Sequence, residues 1–200
     1  MRDTVSVAPA MLACMETIDG RDALVRAARA GARIKYLHFW GHRPRPDGQV
    51  GPSCLSQWWP SPFVVDGVTY ATAEHWMMAG KARLFEDAEA ERRALAARSP
   101  AQAKKEGRLV RGFDEAVWER ERFPIVVEGS VHKFASDAGL RAFLLGTGER
   151  VLVEASPMDR VWGIGLTADD EAAMNPERWR GLNLLGFALM QARERLRAQA

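Results

Sequence analysis

Helix start and stop signals recur along the chain from Thr72 onward, and they constrain the fold more than any other feature of the sequence. Ser99 followed by Pro100 is a typical helix start, because serine caps free backbone N–H groups and proline fits the first helical position. Gly107 marks the end of that segment. Helices this short are marginal in isolation. We therefore expect them to pack against one another in a mainly helical domain.

The same signals predict helices over the ranges 20–31, 72–85, 87–98, 99–107, 138–145 and 183–197. A further helix is predicted to begin near Asp114. We expect Pro124 to begin yet another helix, because a proline inside a helix removes a hydrogen bond and clashes with the preceding turn. Residues 1–19 are predicted to be loosely structured or partly helical.

Short strands are predicted before and between the helices. Ile34–Trp40 and Val151–Glu154 are apolar runs of strand length, and residues 64–70 form a hairpin pattern with Asp66-Gly67 at its turn. The chain has 200 residues, enough for one domain and short for two. The predicted fold is mainly α with a few short β-strands, in a single domain.

The charge balance and the cysteines exclude several function classes. Lys and Arg total 28 against 26 Asp and Glu, so no strong field attracts nucleic acid or membranes, and an anionic ligand needs a local cluster of cations. Two isolated cysteines, Cys14 and Cys54, make no zinc site and suit a reducing compartment. The N-terminus fails as a secretory signal, and no segment approaches the roughly 20 apolar residues that span a bilayer. We expect a cytoplasmic protein without a membrane partner.

The pair Glu74 and Lys81 is the most informative candidate for chemistry. Residues seven apart on a helix lie almost on one face, so this acid and amine point the same way two turns apart. They are compatible with a pocket wall, but spacing alone favours an exposed pair that contacts no ligand. The adjacent His75 points about 100° away, and we expect it to be a hydrogen-bonded core residue.

Other candidates lie in later segments, and each also has a structural interpretation. Trp118 and Trp162 suit stacking on a flat heterocycle or simple core packing. Arg108, which follows a helix end, suits either phosphate binding or a solvated helix face. Asp159 follows a short strand, and Gly163 allows close backbone approach to a ligand. The sequence contains no Rossmann fingerprint, Walker loop or metal-ligand cluster.

Taken together, ordered blocks of this sequence resemble the YbiA/NADAR family over roughly residues 36–197. The blocks are Phe39-Trp40, Leu55-Ser56-Gln57-Trp58, Asp66-Gly67, Thr72-Ala73-Glu74-His75 with Lys81, Gly107-Arg108 with Trp118, Leu152-Val153-Glu154, Asp159 with Trp162-Gly163, and Gly181-Leu182-Asn183-Leu184-Leu185-Gly186 with Leu189-Met190 and Arg193. A single block would be weak evidence, whereas eight in order are specific. Residues 1–35 have no counterpart in the blocks, so we predict an N-terminal extension, partly helical, followed by a YbiA/NADAR-like domain over 36–200.

The resemblance implies a YbiA-like fold and an N-glycosidase that uses neither a metal nor an organic cofactor. It implies that Glu74 is the acid/base and that Lys81 attacks the ribose C1 to form a Schiff base. Asp159 would orient the substrate and Arg108 would bind its phosphate. The remaining implied substrate contacts are Trp118, Trp162, Gly163 and Asn183.

The substrate stays open at this stage. One hypothesis is a small phosphorylated ribosyl compound, such as an early riboflavin-pathway ribosylaminopyrimidine phosphate. The second is ADP-ribosylated guanine, with nucleic acid a partner only as a modified-base substrate, and the third is a non-catalytic module that binds ADP-ribose or NAD. The YbiA-like Trp-Gly-Asp-Gly loop has Ile164 in place of its acid here, which leaves riboflavin-pathway specificity in doubt.

Overall fold

Three helices of the structure, a computed structural model that describes residues 18–199, begin at capping residues read from the sequence. The side-chain oxygens of Asp87, Ser99 and Asp114 each accept a hydrogen bond from the backbone N–H three residues on. The helices are α1 (Arg21–Arg29), α2 (Ala73–Leu84), α3 (Ala88–Leu95), α4 (Pro100–Gly107), α5 (Glu115–Ala135), α6 (Ala138–Gly146) and α7 (Leu184–Arg197). The mainly helical prediction is confirmed. Residues 1–17 of the predicted extension, including Cys14, lie outside the described range.

The prediction for Pro124 was wrong, because this residue lies inside α5. An internal proline leaves the carbonyl four residues earlier without its usual donor, here the carbonyl of Arg120. Both residues are exposed, so water can satisfy that carbonyl. Trp118 and Val126 on either side of the proline are buried in the core. Packing along the whole helix thus outweighs the roughly 3 kcal/mol penalty of an internal proline.

Four short strands form two small sheets. They are β1 (Tyr36–Phe39), β2 (Phe63–Val65), β3 (Val68–Tyr70) and β4 (Val151–Glu154). The predicted hairpin is confirmed: β2 and β3 pair antiparallel, and Asp66 and Gly67 both have positive φ, as a tight two-residue turn requires. β1 pairs with β4 in parallel, with Tyr36 opposite Val151. Single-turn 3₁₀ helices occupy Pro52–Leu55, Glu171–Met174 and Pro176–Arg178.

The two largest apolar clusters of the described core lie on opposite faces of β4. Leu152 faces the larger cluster, where α5 packs between α2 and α7. Val151 and Val153 face the second cluster, which also contains Trp179 and Leu24 of α1. Since side chains alternate along a strand, this wholly buried strand separates and joins the two clusters. The end of β4 is thereby fixed at the centre of the molecule.

The first described helix packs directly on the rest of the chain. Leu24 is completely buried, and the Arg21 guanidinium donates a hydrogen bond of 3.0 Å to the carbonyl oxygen of Pro176. Arg29 forms an ion pair with Glu177 in the same region. Within residues 18–199, none of the helices has both the length and the apolar character needed to cross a membrane.

Candidate active site

A cavity of about 370 Å³ lies between the first turn of α2, the end of β4 and the loops next to them. This volume is within the range of small-molecule sites in proteins. Three residues singled out in the sequence line it: Glu74, Asp159 and Trp162. Aromatic and charged side chains make up much of the remaining wall: Trp40, His42, Trp58, Lys104 and Glu154.

Glu74 is the second residue of α2 and is only 2% exposed. Its Oε1 atom is buried and has no hydrogen-bond partner among the described residues. Burial raises the pKa of this carboxyl group to about 7, and the positive charge of Lys104 and a hydrogen bond from Trp58 oppose that rise. Near neutral pH the group is therefore divided between its acid and its base form, which suits proton exchange with a ligand.

Glu154, the last residue of β4, is a second carboxyl group in the same wall. Its Oε2 atom is buried and, within the described chain, unpartnered. Burial raises its pKa to about 8, and the negative charge of Asp159 contributes to that rise. Glu154 is not among the site residues predicted from the sequence. The available signal was an acid that ends an otherwise apolar strand.

Asn183 fixes the backbone that carries Glu154. Its Oδ1 accepts a hydrogen bond of 2.9 Å from the Glu154 backbone N–H, and its Nδ2 donates one of 2.9 Å to the carbonyl oxygen of Leu152. It has a φ of 56°, a left-handed conformation that asparagine tolerates, and is wholly buried. The structure thus places Asn183 behind β4 and outside the cavity wall. There it positions Glu154, and the substrate contact that the resemblance implies stays a prediction.

The loop after β4 holds Asp159 and Trp162 in the cavity wall. Asp159 Oδ1 accepts hydrogen bonds from the backbone N–H groups of Val161, at 2.9 Å, and Trp162, at 2.7 Å. Gly163 is buried behind this loop, where a Cβ atom would lie 2.8 Å from the carbonyl oxygen of Glu154. The absence of a side chain at Gly163 therefore allows the loop to pack closely on β4, and Gly163 itself does not line the cavity.

The loop before α2 is fixed by a buried lysine. Lys133 of α5 donates hydrogen bonds to the carbonyl oxygens of Cys54, at 2.6 Å, and Ser56, at 2.7 Å. The carbonyl oxygen of the next residue, Gln57, accepts a hydrogen bond of 3.1 Å from the Glu74 backbone N–H. These contacts fix Trp58 beside the Glu74 carboxyl group.

Lys81 does not line this cavity. Its Nζ lies 3.9 Å from the centre of the Phe113 ring and 5.4 Å from that of Trp118 in α5. These three residues form a separate group beside the later part of α2. Burial lowers the pKa of the Lys81 amine, and the charge of Glu115 opposes this.

Lys104 of α4, which the sequence analysis did not select, is the lysine that lines the cavity. Arg108 is exposed at the C-cap of α4, four residues after Lys104, and its positive charge acts to lower the pKa of Glu74. Residues four apart on a helix share a face. That spacing is the signal by which Lys104 could have been selected together with Arg108.

His75 is a structural residue, as predicted. Its Nδ1 lies 2.8 Å from the Thr72 hydroxyl oxygen and its Nε2 lies 3.1 Å from the Ala97 carbonyl oxygen. Because a carbonyl oxygen only accepts, Nε2 carries the proton and Nδ1 accepts from Thr72. Thr72 is the N-cap residue of α2, but its hydroxyl bonds His75 and does not cap a backbone N–H group of the helix. No group of three potential metal ligands occurs within residues 18–199.

Ile164 lies in the second apolar cluster and is fully buried. Its backbone N–H donates to the Glu154 carbonyl oxygen at 2.9 Å. The residue that replaces the YbiA-type acid thus contributes to the core and not to the cavity wall of this chain.

Comparison with known proteins gives concordant results. A family model described as the NADAR domain matches residues 38–197. N-glycosidase R617 of Acanthamoeba polyphaga mimivirus is 39% identical over 165 residues, which are 80% of this chain and 95% of that protein. N-glycosidase YbiA of Escherichia coli (strain K12) is 33% identical over 135 residues, which are 68% of this chain and 76% of that protein.

Two further similarities bear on fold and pathway. The NMR structure of the E. coli protein YbiA superposes with a TM-score of 0.63 at 27% identity, covering 84% of this chain and 91% of that one. Riboflavin biosynthesis protein PYRR, chloroplastic, of Zea mays is 33% identical over 138 residues, which are 66% of this chain but only 20% of that protein.

Proposed function

The chain belongs to the NADAR family, and from that membership we propose that it is an N-glycosidase that hydrolyses a ribose C1–N bond in a phosphorylated substrate. Relatives named as N-glycosidases match most of its length, so its class is that of a glycosyl hydrolase. The observation that carries the proposal is the buried Glu74 carboxyl group, which lines a cavity of ligand size and is poised to exchange a proton near pH 7.

The chemistry of the reaction requires such a group. Cleavage of a ribosyl C1–N bond needs a proton for the departing nitrogen and stabilisation of the positive charge that develops at C1. A carboxyl group with a pKa near 7 can give or take that proton at neutral pH. The carboxylates that surround the cavity favour a positive charge at C1, because opposite charges attract strongly in a site shielded from water.

Aromatic side chains suit recognition of the base. Trp40, Trp58 and Trp162 all line the cavity, and the ring of His42 lies 5.5 Å from that of Trp58. Base–aromatic stacking contributes roughly 1–3 kcal/mol per base. We propose that the heterocycle of the substrate lies among these rings.

Cations on α4 suit recognition of the phosphate. Lys104 lines the cavity, and Arg108 lies one helical turn away on the same helix. Charge-assisted hydrogen bonds to phosphate are roughly twice as strong as neutral ones. With a net charge of only +2, the chain depends on such a local pair to hold an anionic substrate.

The proposed substrate is a small ribosylaminopyrimidine phosphate of the riboflavin pathway, consistent with the name of the maize relative. The purified protein is incubated with this compound and, separately, with ADP-ribosylated guanosine, and free base is measured by chromatography. Release from the first compound supports the proposal. Release of base from ADP-ribosylated guanosine alone would make that compound the substrate instead. Binding of ADP-ribose without release of base from either compound would overturn the enzymatic proposal.

Glu74→Gln tests the residue that carries the proposal. We expect kcat to fall by about 10²–10⁴-fold, the usual contribution of a general acid or base, while the fold is retained because the replacement has the same shape. Lys105→Gln, an exposed change on α4, is the matched control. Normal turnover by Glu74→Gln would contradict the role of this residue.

The Schiff-base step on Lys81 remains a proposal from the resemblance. It requires the amine to leave the Phe113 ring and reach C1 of the bound sugar. Borohydride reduction during turnover, followed by peptide mass mapping, detects such an adduct. An adduct on Lys81 supports the step, and turnover without an adduct at any lysine rules it out.

A further inference from the structure

Glu154 and Glu74 form a pair of buried carboxyl groups in one cavity. Each has a buried oxygen without a partner within residues 18–199, Oε2 of Glu154 and Oε1 of Glu74. The two groups influence each other electrostatically, since the charge of Glu74 acts to raise the pKa of Glu154. A buried polar atom without a partner is costly, and a catalytic role is one of the reasons for which such an atom is kept. Of the five such side-chain atoms within residues 18–199, these two are the ones that belong to residues of the cavity wall. Two such atoms in one wall indicate two contacts to the same ligand.

The charges around the two groups differ in balance, although the negative charge of Asp159 opposes ionisation of both. The charged form of Glu74 is favoured by a hydrogen bond from Trp58 and by the positive charges of Lys104 and Arg108. Glu154 shares the effect of Lys104 but also faces the negative charge of Glu74. A proton shared by the pair is therefore favoured on Glu154 over Glu74. His42 is a further titratable group in the wall, next to Trp58.

We propose that Glu154 is a second catalytic carboxyl group, which protonates the leaving nitrogen while Glu74 removes a proton from the attacking water. This inference rests on the proposed N-glycosidase function and names a new residue in that site. The C1–N bond breaks with its electron pair on nitrogen, and that nitrogen takes the Glu154 proton. In this route water, and not the Lys81 amine, attacks C1: the water oxygen bonds to C1 as its proton passes to Glu74, so the route is the alternative to the Schiff-base step. Exchange with solvent then restores both carboxyl groups, so the net reaction is hydrolysis.

The backbone around Glu154 supports this assignment. Asn183 fixes its N–H and Ile164 bonds its carbonyl oxygen at 2.9 Å, so the residue is held at the cavity wall by its main chain alone. Its carboxyl group is left for a ligand. A site held by rigid elements in this way is typical of groups that must meet a substrate at a defined position.

The kinetic test compares Glu154→Gln with Glu74→Gln on two substrates. The first is the ribosylaminopyrimidine phosphate, and the second is ribose 5-phosphate with 4-nitrophenolate at C1, a leaving group that needs no proton. We expect Glu154→Gln to lose about 10²–10⁴-fold in kcat on the first substrate and less than about tenfold on the second. Glu74→Gln should lose activity on both. The assignment would be overturned if the second substrate restored the activity of Glu74→Gln and not that of Glu154→Gln. Normal turnover of the first substrate by Glu154→Gln would overturn it as well.

A measurement on the free protein tests the shared proton independently of activity. At about pH 7.5 exposed carboxyl groups are ionised, so infrared absorption of a protonated carboxyl group isolates the buried pair. We expect this band in the native protein, in Glu74→Gln and in the exposed control Glu171→Gln. In Glu154→Gln most of its intensity should be lost, because only the fraction of Glu74 that is protonated at this pH still absorbs. An undiminished band in Glu154→Gln would sink the inference. Absence of turnover by the native protein, with the infrared result as expected, would instead remove the proposed function.

Discussion

Lys133 shows how a residue outside the cavity contributes to it. It is 1% exposed, and its amine bonds two carbonyl oxygens of the loop that leads to Trp58. Burial lowers its pKa from 10.5 to about 7. A neutral amine can still donate both hydrogen bonds, whereas the charged form pays for its removal from water. The positioning of Trp58 is therefore linked to the titration of a core lysine.

This linkage predicts a pH-dependent stability. Between about pH 7 and 10.5 the unfolded chain binds a proton at Lys133 that the folded chain does not, so the free energy of unfolding rises with pH. The energetic cost of burying this amine is fully present below the pKa that Lys133 has in the folded chain. It is absent above the pKa that Lys133 has in the unfolded chain. We expect the free energy of unfolding of the native protein to rise relative to that of Lys133→Met by up to about 1.4 kcal/mol per pH unit. Urea unfolding at pH 7, 8 and 9 measures this difference.

The carboxyl groups of Glu74 and Glu154 titrate in both proteins and cancel in this difference. Lys105→Met, at an exposed position, should follow the native protein instead. Parallel stability curves for the native protein and Lys133→Met would show that the buried amine keeps an ordinary pKa.

Individual site residues differ in how far the sequence could predict them. Glu74, Asp159 and Trp162 were candidates from local patterns and received their roles from the family resemblance, and the structure brings them to one cavity. Glu154 and Lys104 face that cavity because of long-range packing, the first through the pairing of β4 with β1 and the second through the contact of α4 with α2. No local spacing encodes such packing.

At the scale of elements, the crossing of α2 and α5 is set by a glycine. Gly129 faces Trp76, whose indole Nε1 donates a hydrogen bond of 2.8 Å to the carbonyl oxygen of Ile125. A Cβ atom at position 129 would lie 2.3 Å from the Trp76 ring, which is far inside van der Waals contact. The two helices pack closely there, and Glu74 lies only two residues before Trp76 in α2. Local helix signals cannot reveal this requirement.

Gly129→Ala is therefore expected to destabilise the protein although alanine is the better helix former. Overpacking of this kind typically costs about 1–3 kcal/mol and here also threatens the Trp76 hydrogen bond. Gly146→Ala is the matched control, since a Cβ atom there meets nothing within 4 Å and helix propensity alone favours alanine. Thermal unfolding should lower the Tm of the first variant and leave that of the second unchanged or higher. Equal Tm values would show that α2 and α5 separate without cost.

Helix starts were more predictable than strand partners or the interior of α5. Asp87, Ser99 and Asp114 cap their helices by bonds within three residues, so a sequence pattern suffices. The parallel pairing of β1 with β4 joins segments more than a hundred residues apart, and only the assembled core specifies it. Pro124 was misplaced for the same reason: packing on both sides of it outweighs a local penalty.

At the scale of the whole molecule, one continuous core connects the first described helix to the cavity. Leu24 of α1 lies in the same apolar cluster as Val153, which directly precedes Glu154. Phe123 and Met190 pack against both clusters and join them. The sequence resemblance begins after α1, so it predicted a boundary near residue 35. The packing of α1 leads to the further hypothesis that residues 21–29 fold as part of the domain.

Leu24→Ala tests that hypothesis. Removing a fully buried leucine typically costs about 2–5 kcal/mol, the spread depending on how far the cavity collapses. If α1 folds with the domain, the entire chain should unfold in one transition at a lower Tm, followed both by far-UV circular dichroism and by tryptophan fluorescence. Val64→Ala, at a site that is 63% exposed, should change the Tm little. An unchanged main transition with a separate early loss of helix would instead make α1 an independent appendage. The other residues of the second apolar cluster would then support β4 without a contribution from Leu24.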